Sequence, residues 1–238
     1  MFDPPSVPPT QEEEALIKAV EEGDAVAVQR LIAAGVDVDC QPGYEAPLHL
    51  AAMSDDAAIA QLLIDAGACL DGFTAYGSGF DADEELHTPL LLACEHGSEK
   101  VAKLLIDAGA DIEESTVSGY YIRPLCLAAK QGHAGIVRML IDAGANLDEP
   151  NDVFDGSALC VAVVEGHLEI ARMLLDAGAV LRVDDGADSF SALDAAVNHA
   201  GPEMVQLLLD AGASPELTTS LATLKLRQMI DAGTVHVV

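Results

Sequence analysis

The chain has 238 residues, and with 40 Asp and Glu against 11 Lys and Arg its formal charge is −29. A field of that sign repels phosphate backbones and anionic bilayers, which argues against nucleic acid or a membrane surface as a direct ligand. Half of the residues are hydrophobic but only 4% are aromatic and none is Trp, a composition suited to thin cores between small helices.

The opening ten residues, MFDPPSVPPT, are Pro-rich and read as a disordered tail; they lack the basic and apolar regions of a signal peptide. Thr10 and Glu13 then have the spacing of a capping box ahead of an acidic first helix that begins with Glu12, Glu13 and Glu14. From there one phrase recurs: LLIDAGA at Leu62 and again at Leu104, MLIDAGA at Met139, MLLDAGA at Met173, LLLDAGA at Leu207, and a looser LIAAGV at Leu31. The glycines Gly35, Gly67, Gly109, Gly144, Gly178 and Gly212 anchor the copies. Sixteen residues before each stands an Ala, and three further back a Leu, from Leu16 and Ala19 to Leu193 and Ala196. A constant spacing over six copies predicts a rigid block repeated along the chain.

Within the block two short helices are predicted. The first starts at a Ser or Thr cap or a Pro, as at Thr88-Pro89, Pro47, Pro124, Ser157 and Ser191. A Gly interrupts the pattern at Gly23, Gly97, Gly132 and Gly166, and the second helix follows with apolar spacing such as Ile136, Met139 and Leu140. It ends at the anchoring glycine, which is free to take the left-handed conformation. After Gly212 the spacing fails, and residues 218–232 read as a single capping helix with Lys225, Arg227 and Gln228 toward water.

These residues carry a family resemblance. Ala46-Pro47-Leu48-His49-Leu50-Ala51-Ala52 and Thr88-Pro89-Leu90 resemble the T-P-L-H-x-A opening of ankyrin repeats, and Gly132-His133 and Gly166-His167 resemble its mid-repeat Gly-His. The resemblance covers about residues 12–217. It implies an all-α solenoid of about six helix-turn-helix repeats, with a loop projecting from each as a hairpin-like finger. The expected organisation is a tail over 1–10, a repeat array over 11–217 and a C-terminal capping helix and tail over 218–238. By the same resemblance, binding uses the fingers and the inner face of the first helices, and His49 is a structural residue of the turn.

The departures from the repeat are where function can be written. From anchoring glycine to next conserved Leu the distances are 13, 23, 16, 15 and 15 residues, so the second finger, about Ala68–His87, is some nine residues longer than the family unit. Eight of the nine Phe and Tyr residues lie in fingers: Tyr44, Phe73, Tyr76, Phe80, Tyr120, Tyr121, Phe154 and Phe190. Two readings of them stand: anchors for a partner, because aromatics bury large area at small entropic cost, or mutual packing that stiffens the loops. The finger segments 36–45, 68–87, 110–122, 145–156 and 179–190 hold 18 acidic residues and one base, Arg182. Asp81, Asp83, Glu84, Glu85 and Asp155 sit among the aromatics, a mixture suited to Lys and Arg of a basic partner through ion pairs and cation–π contacts. Solvated loops are also acidic, so the alternative is solubility alone. The resemblance also implies an inner wall of exposed pairs, Met53-Ser54, Glu95-His96, Lys130-Gln131, Val164-Glu165 and Asn198-His199, in which Met53 and Val164 are apolar where water is expected.

Catalytic chemistry finds no support. Of the seven histidines, His96 and His199, and likewise His133 and His167, sit at repeated places on separate repeats, too far apart to share one metal. The stretch from Asp81 begins like a calcium loop but has Leu86 where Gly is needed and Leu92 where Glu is needed. No G-x-x-x-x-G-K cradle or G-x-S-x-G elbow occurs. The DAG aspartates Asp65, Asp107, Asp142, Asp176, Asp210 and Asp231 read as solvent-facing residues of the last helical turn. The five cysteines, with no C-x-x-C pair, read as free thiols of a reducing compartment. The expectation is a cytoplasmic, non-enzymatic protein without cofactor or metal, monomeric when free, that binds a protein partner of basic character. It acts as an inhibitor, immunity protein or dedicated chaperone. The alternatives are a general scaffold or adaptor, and a nucleic-acid mimic that blocks a DNA-binding enzyme.

Overall fold

The recurring DAGA has a separate physical reason for each letter. In the fourth such block, helix α8 (Ala134–Asp142) ends with Ala143 as its C-cap and Gly144 at φ +89°. The Gly144 N–H donates to the Ile141 carbonyl at 3.0 Å and the Ala145 N–H to the Leu140 carbonyl at 3.0 Å, the paired bonds of a Schellman ending. A side chain at Gly144 would meet nothing within 4 Å, so the requirement for Gly is the backbone angle and not the space. Ala145 is 7% exposed and tucks under the turn. The Asp is exposed in every copy and is the last helical residue in all but α6, which runs one residue further to Ala108. Four residues before it stands a nitrogen-bearing side chain: Gln61, Lys103, Arg138, Arg172 or Gln206. Gln61 Nε2 donates to Asp65 at 2.7 Å and Lys103 Nζ to Asp107 at 2.9 Å, local pairs along the outer face of the second helix.

The computed structural model describes residues 10–40, 46–76, 85–115, 121–149, 157–181, 192–214 and 220–236. Among them are thirteen helices and one short ribbon. Four pairs precede or flank α8: α1 (Gln11–Glu21) with α2 (Ala25–Ala33), α3 (Pro47–Ser54) with α4 (Ala57–Asp65), α5 (Pro89–His96) with α6 (Glu99–Ala108), and α7 (Pro124–Gln131) leading into α8. Then come α9 (Ala158–Val164) with α10 (Leu168–Asp176), α11 (Ala192–His199) with α12 (Pro202–Asp210), and a lone α13 (Ser220–Asp231). The fold is the all-α solenoid that the spacing predicts.

The chain divides into two compact units between Pro124 and Leu125. In the first, α1, α3 and α5 pack in one row and α2, α4 and α6 in a second. In the second, α9, α11 and α13 form one row and α8, α10 and α12 the other. The conserved Leu and Ala are the floor between rows: Leu48 is 1% exposed, while Ala51, Leu90, Ala93, Leu159 and Ala162 are fully buried. Small Ala side chains let neighbouring first helices approach closely, and the larger apolar groups of the second helices, such as Ile59, Leu63, Ile136 and Leu140, fill the remaining space. Thr10 forms the expected capping box, its Oγ1 accepting from Glu13 N–H at 3.2 Å while Glu13 Oε2 accepts from Thr10 N–H at 2.7 Å.

Two expectations need correction, at Ser157 and Lys225, and two features stand outside the repeat pattern, at Asp55 and Val235. Thr88 caps α5 through its hydroxyl, but Ser157 makes no such bond at α9, and Ser191 lies outside the described residues. The turn between α3 and α4 lacks glycine, and Asp55 there takes the left-handed conformation at φ 53°, the one non-Gly residue to do so among the described residues. Its carboxylate explains the exception: Oδ1 accepts from Lys100 and Val101 N–H at 3.0 and 3.1 Å, capping α6 from the preceding repeat. Lys225 is half-buried and donates to Asn198 Oδ1 at 2.9 Å, whereas Arg227 and Gln228 do face water. Past α13, Val235 is fully buried.

Candidate partner-binding surface

The second finger is built on a ribbon. Strands β1 (Thr74–Tyr76) and β2 (Glu85–His87) pair antiparallel with Thr74 opposite His87, Ala75 opposite Leu86 and Tyr76 opposite Glu85. The ribbon is a hydrogen-bonded base that starts at an inward-facing pair: Thr74 is 2% and His87 3% exposed. Two histidines hold that base to the helices. His49 of α3, 2% exposed, donates from Nε2 to the Gly72 carbonyl at 2.8 Å, and His87 Nε2 lies 3.6 Å from Glu95 Oε2 of α5. Burial pushes His49 down to about 4, with the bond to Gly72 opposing, so the ring is neutral at pH 7. The structural role that the resemblance assigns to His49 is thus visible: it anchors the next finger.

The finger acids divide into two kinds. Asp39 Oδ1 accepts from Cys69 N–H, Asp71 Oδ1 from Asp111 N–H and Asp148 Oδ1 from Val180 N–H, each at 2.8 Å. All three stand four residues after the anchoring glycine, and each donor stands two after the glycine of the following repeat. Asp37 and Asp111 accept from Asp39 and Glu113 N–H at 3.0 and 2.9 Å, closing Asx turns. Glu113 lies 3.6 Å from Arg123 Nε, and Glu149 accepts from Asn146 Nδ2 at 2.9 Å. Asp39, Asp71 and Asp148, counted in the sequence among the charges that face a partner, are the stitching between fingers, and the others close turns or pairs within a finger. The missed signal was their strict offset from the anchoring glycine.

Of the aromatics, Tyr121 is 55% exposed just before α7, with the buried Ile122 after it. Phe73 is half-buried at the entry to β1. Tyr76 and Glu85 are placed by their backbones as direct partners across the ribbon. Tyr44, Phe80, Asp81, Asp83, Glu84, Tyr120, Phe154, Asp155 and Phe190 lie outside the described residues.

The inner wall has a regular pattern that the sequence misstates. In each pair the first residue, Met53, Glu95, Lys130, Val164 or Asn198, is half-buried, and the second is exposed. Val164 and Met53 are therefore partly packed rather than displayed to water. At the helix turns of the first unit lies an open groove of about 510 Å³ whose walls include Glu21, Glu22, Ser54, Asp55, Asp56 and Lys100. Lys100 Nζ stands 3.1 Å from Asp55 Oδ2 within it.

The thiols have no disulfide partner; Cys40, Cys94, Cys126 and Cys160 are buried and Cys69 is exposed. Burial pushes Cys40 up to about 12, with Glu13 and Asp37 adding to the effect, and it also raises Cys94 and Cys160, so these are poor nucleophiles. Among the described residues no group of three His, Cys, Asp or Glu is arranged to hold a metal ion, and no helix is long and apolar enough to cross a membrane.

With this geometry in place the relatives can be compared. The family model of ankyrin repeats, in three copies, matches residues 16–116 and again 125–219. The ankyrin repeat domain of human ASB11 is similar in structure, with a TM-score of 0.70 and 27% identity, over 90% of this chain and 96% of that one. No curated protein matches the chain in sequence.

Proposed function

The chain belongs to the ankyrin repeat family, a protein-interaction fold, and from that premise we propose that it binds a basic protein partner through its finger face and occludes it. The carrying observation is Tyr121: among the described residues five large apolar side chains are exposed, and Tyr121, 55% exposed on a finger, is the aromatic one. An aromatic ring held by a buried neighbour is a low-entropy anchor for a partner. The second finger adds a stiff ribbon whose strands carry Tyr76 and Glu85, so that whatever lies beyond it is presented from a fixed base.

On this reading the partner-binding residues are the exposed Tyr121 together with Tyr44, Phe73, Tyr76, Phe80, Tyr120, Phe154 and Phe190, set among Asp81, Asp83, Glu84, Glu85 and Asp155, with Val164 at the edge of the inner wall. The charge that recruits the partner belongs to the acids outside the inter-finger stitching. The repeats act as one array over 11–217, with 1–10 as a tail and 218–238 as the closing cap. The protein is a cytoplasmic monomer when free, is not an enzyme and needs no cofactor. Its role is that of an inhibitor, immunity protein or dedicated chaperone, and a scaffold or adaptor role is the broader form of the same reading.

The test is affinity capture from native extract, identification of the retained protein, and titration of that protein against variants. Tyr121→Ala should weaken binding by about 1–3 kcal/mol with little change in melting midpoint. A lowered midpoint with unchanged affinity would assign the ring to loop packing instead. Competition by duplex DNA would move the reading to a nucleic-acid mimic.

A further inference from the structure

The second finger is joined to the repeat stack at two levels. Its outer stitches bind the neighbouring fingers: Cys69 N–H donates to Asp39 Oδ1, and Asp71 Oδ1 accepts from Asp111 N–H, each at 2.8 Å. Its inner joint begins at Gly72, where His49 of α3 meets both legs of the ribbon. Nε2 bonds the Gly72 carbonyl at 2.8 Å just before β1, and the His87 main chain at the end of β2 lies near the ring. A carbonyl only accepts, so Nε2 carries the hydrogen and the neutral ring leaves Nδ1 as an acceptor. Nδ1 is buried and has no hydrogen-bond partner among the described residues. A proton added there would be a charged donor facing no acceptor, which the site cannot hold while it excludes water. On the ribbon itself Thr74 is 2% exposed with Oγ1 also unpartnered among the described residues, so water gained on detachment offsets part of the cost.

We propose that His49 is an acid-operated latch of the second finger: protonation of its ring lifts the ribbon from α3 while the outer stitches hold, and the finger face releases its partner. This is a local opening, distinct from loss of the fold. Helices α1, α4, α5 and α6 pack against α3. Among the described residues the ionisable group that acts on His49 is His87, which disfavours a second charge beside it, and Glu95 of α5 faces His87 at 3.6 Å. No carboxylate among them acts on His49 to hold a proton in the closed finger. Burial lowers His49 to about 4, whereas an uncovered imidazole titrates at about 6.5. The detached finger therefore takes up the proton first, and between pH 7.5 and pH 5 its population relative to the closed form should rise about thirtyfold. Release of the partner rests on the finger-face reading; the latch itself does not, and it is measured without a partner.

The experiment is native-state amide exchange on the full-length protein at pH 7.5 and pH 5, corrected for intrinsic rates and repeated in low urea, for the parent and His49→Gln. Gln keeps a donor for the Gly72 carbonyl and cannot titrate. Ribbon amides of the parent should open about thirtyfold more at pH 5 with little dependence on urea, the mark of a local opening. In His49→Gln the change should be less than about threefold. A parent ribbon that opens equally at both pH values, or one that shares the urea slope of α4 and α5, overturns the latch. Should His49→Gln fail to fold, the parent's pH and urea dependences decide by the same two criteria. With the captured protein in hand, its dissociation should quicken at least about fivefold more for the parent than for His49→Gln on going to pH 5. Equal quickening beside a pH-dependent ribbon overturns the release, and with it the second finger's place in the finger-face reading, while the latch stands.

Discussion

The two units use the same position for different work. In the first, the residue that starts the second helix caps its own repeat in two cases of three: Asp24 accepts from Ala27 N–H at 2.9 Å, and Asp56 from Ala58 and Ile59 N–H at 3.1 and 3.0 Å, whereas Ser98 makes no side-chain cap and Asp55 caps α6 in its place. In the second that residue is His133, His167 or Gly201, and none makes a side-chain cap. The His167 ring instead reaches back to the preceding repeat, where Nε2 donates to the Lys130 carbonyl at 3.1 Å. The units also differ in charge: five basic against 24 acidic residues give −19 for 1–124, and six against 16 give −10 for 125–238. A repeat fixes the backbone; what a polar side chain does at a repeated place depends on which neighbour it meets.

The strongest way to break this comparison is at the glycines facing those side chains. A Cβ on Gly132 would lie 2.7 Å from His167 Cε1, whereas a Cβ on Gly23 would stand 3.7 Å from Asp56 Oδ2, and both glycines have positive φ. Gly132→Ala should cost about 3 kcal/mol and Gly23→Ala about 1 kcal/mol in urea unfolding. The excess at Gly132 should shrink when His167 is also changed to Ala. Equal costs would remove the claim that the second unit is interlocked through this ring.

Acid separates the units in another way. His49 is neutral in the fold, with its value lowered to about 4 against about 6.5 when unfolded. Between those two values the unfolded chain binds the extra proton, so stability falls as pH drops from 6.5 toward 4 and is intact above 6.5. The loss should reach about 2–3 kcal/mol and appear first in amide exchange around the base of the second finger. In the second unit the corresponding residues are Cys126, Cys160 and Asp194, all buried and none a histidine. A His49→Gln chain should lack this component of the pH dependence.

Asp55 sharpens the contrast at smaller cost. Asp55→Ala removes the cap of α6 and the Lys100 pair while keeping the left-handed backbone, an expected loss of about 2 kcal/mol. Asp55→Gly loses the same bonds but relieves the strain, so about 1 kcal/mol is expected. Smallest is the stitching: Asp71→Ala and Asp148→Ala should each lower stability by about 1 kcal/mol. They should leave partner association rates nearly unchanged, whereas neutralising Asp81, Asp83, Glu84 and Glu85 together should slow association at low salt. Slowing by the stitching variants would return those acids to the binding face.

The repeat, the two helices of each block, the closing glycines and the capping box were legible in the sequence because each rests on local physics. Hydrophobic spacing, a positive φ and a reciprocal side-chain cap involve residues a few positions apart. The exposed Tyr121 and the excess length of the second finger were legible too, one as composition and the other as a break in period. Tertiary structure decided what spans repeats: that Asp39, Asp71 and Asp148 bind the next finger's backbone, that Asp55 replaces a glycine in order to cap α6, and that His167 fills the space above Gly132. It also decided that Val235 is a core residue, although no spacing announces it. In each case the partners lie 30 or more residues apart or outside the period. A carboxylate at such a position looks the same in sequence whether it faces water or a backbone N–H, and only packing chooses between them.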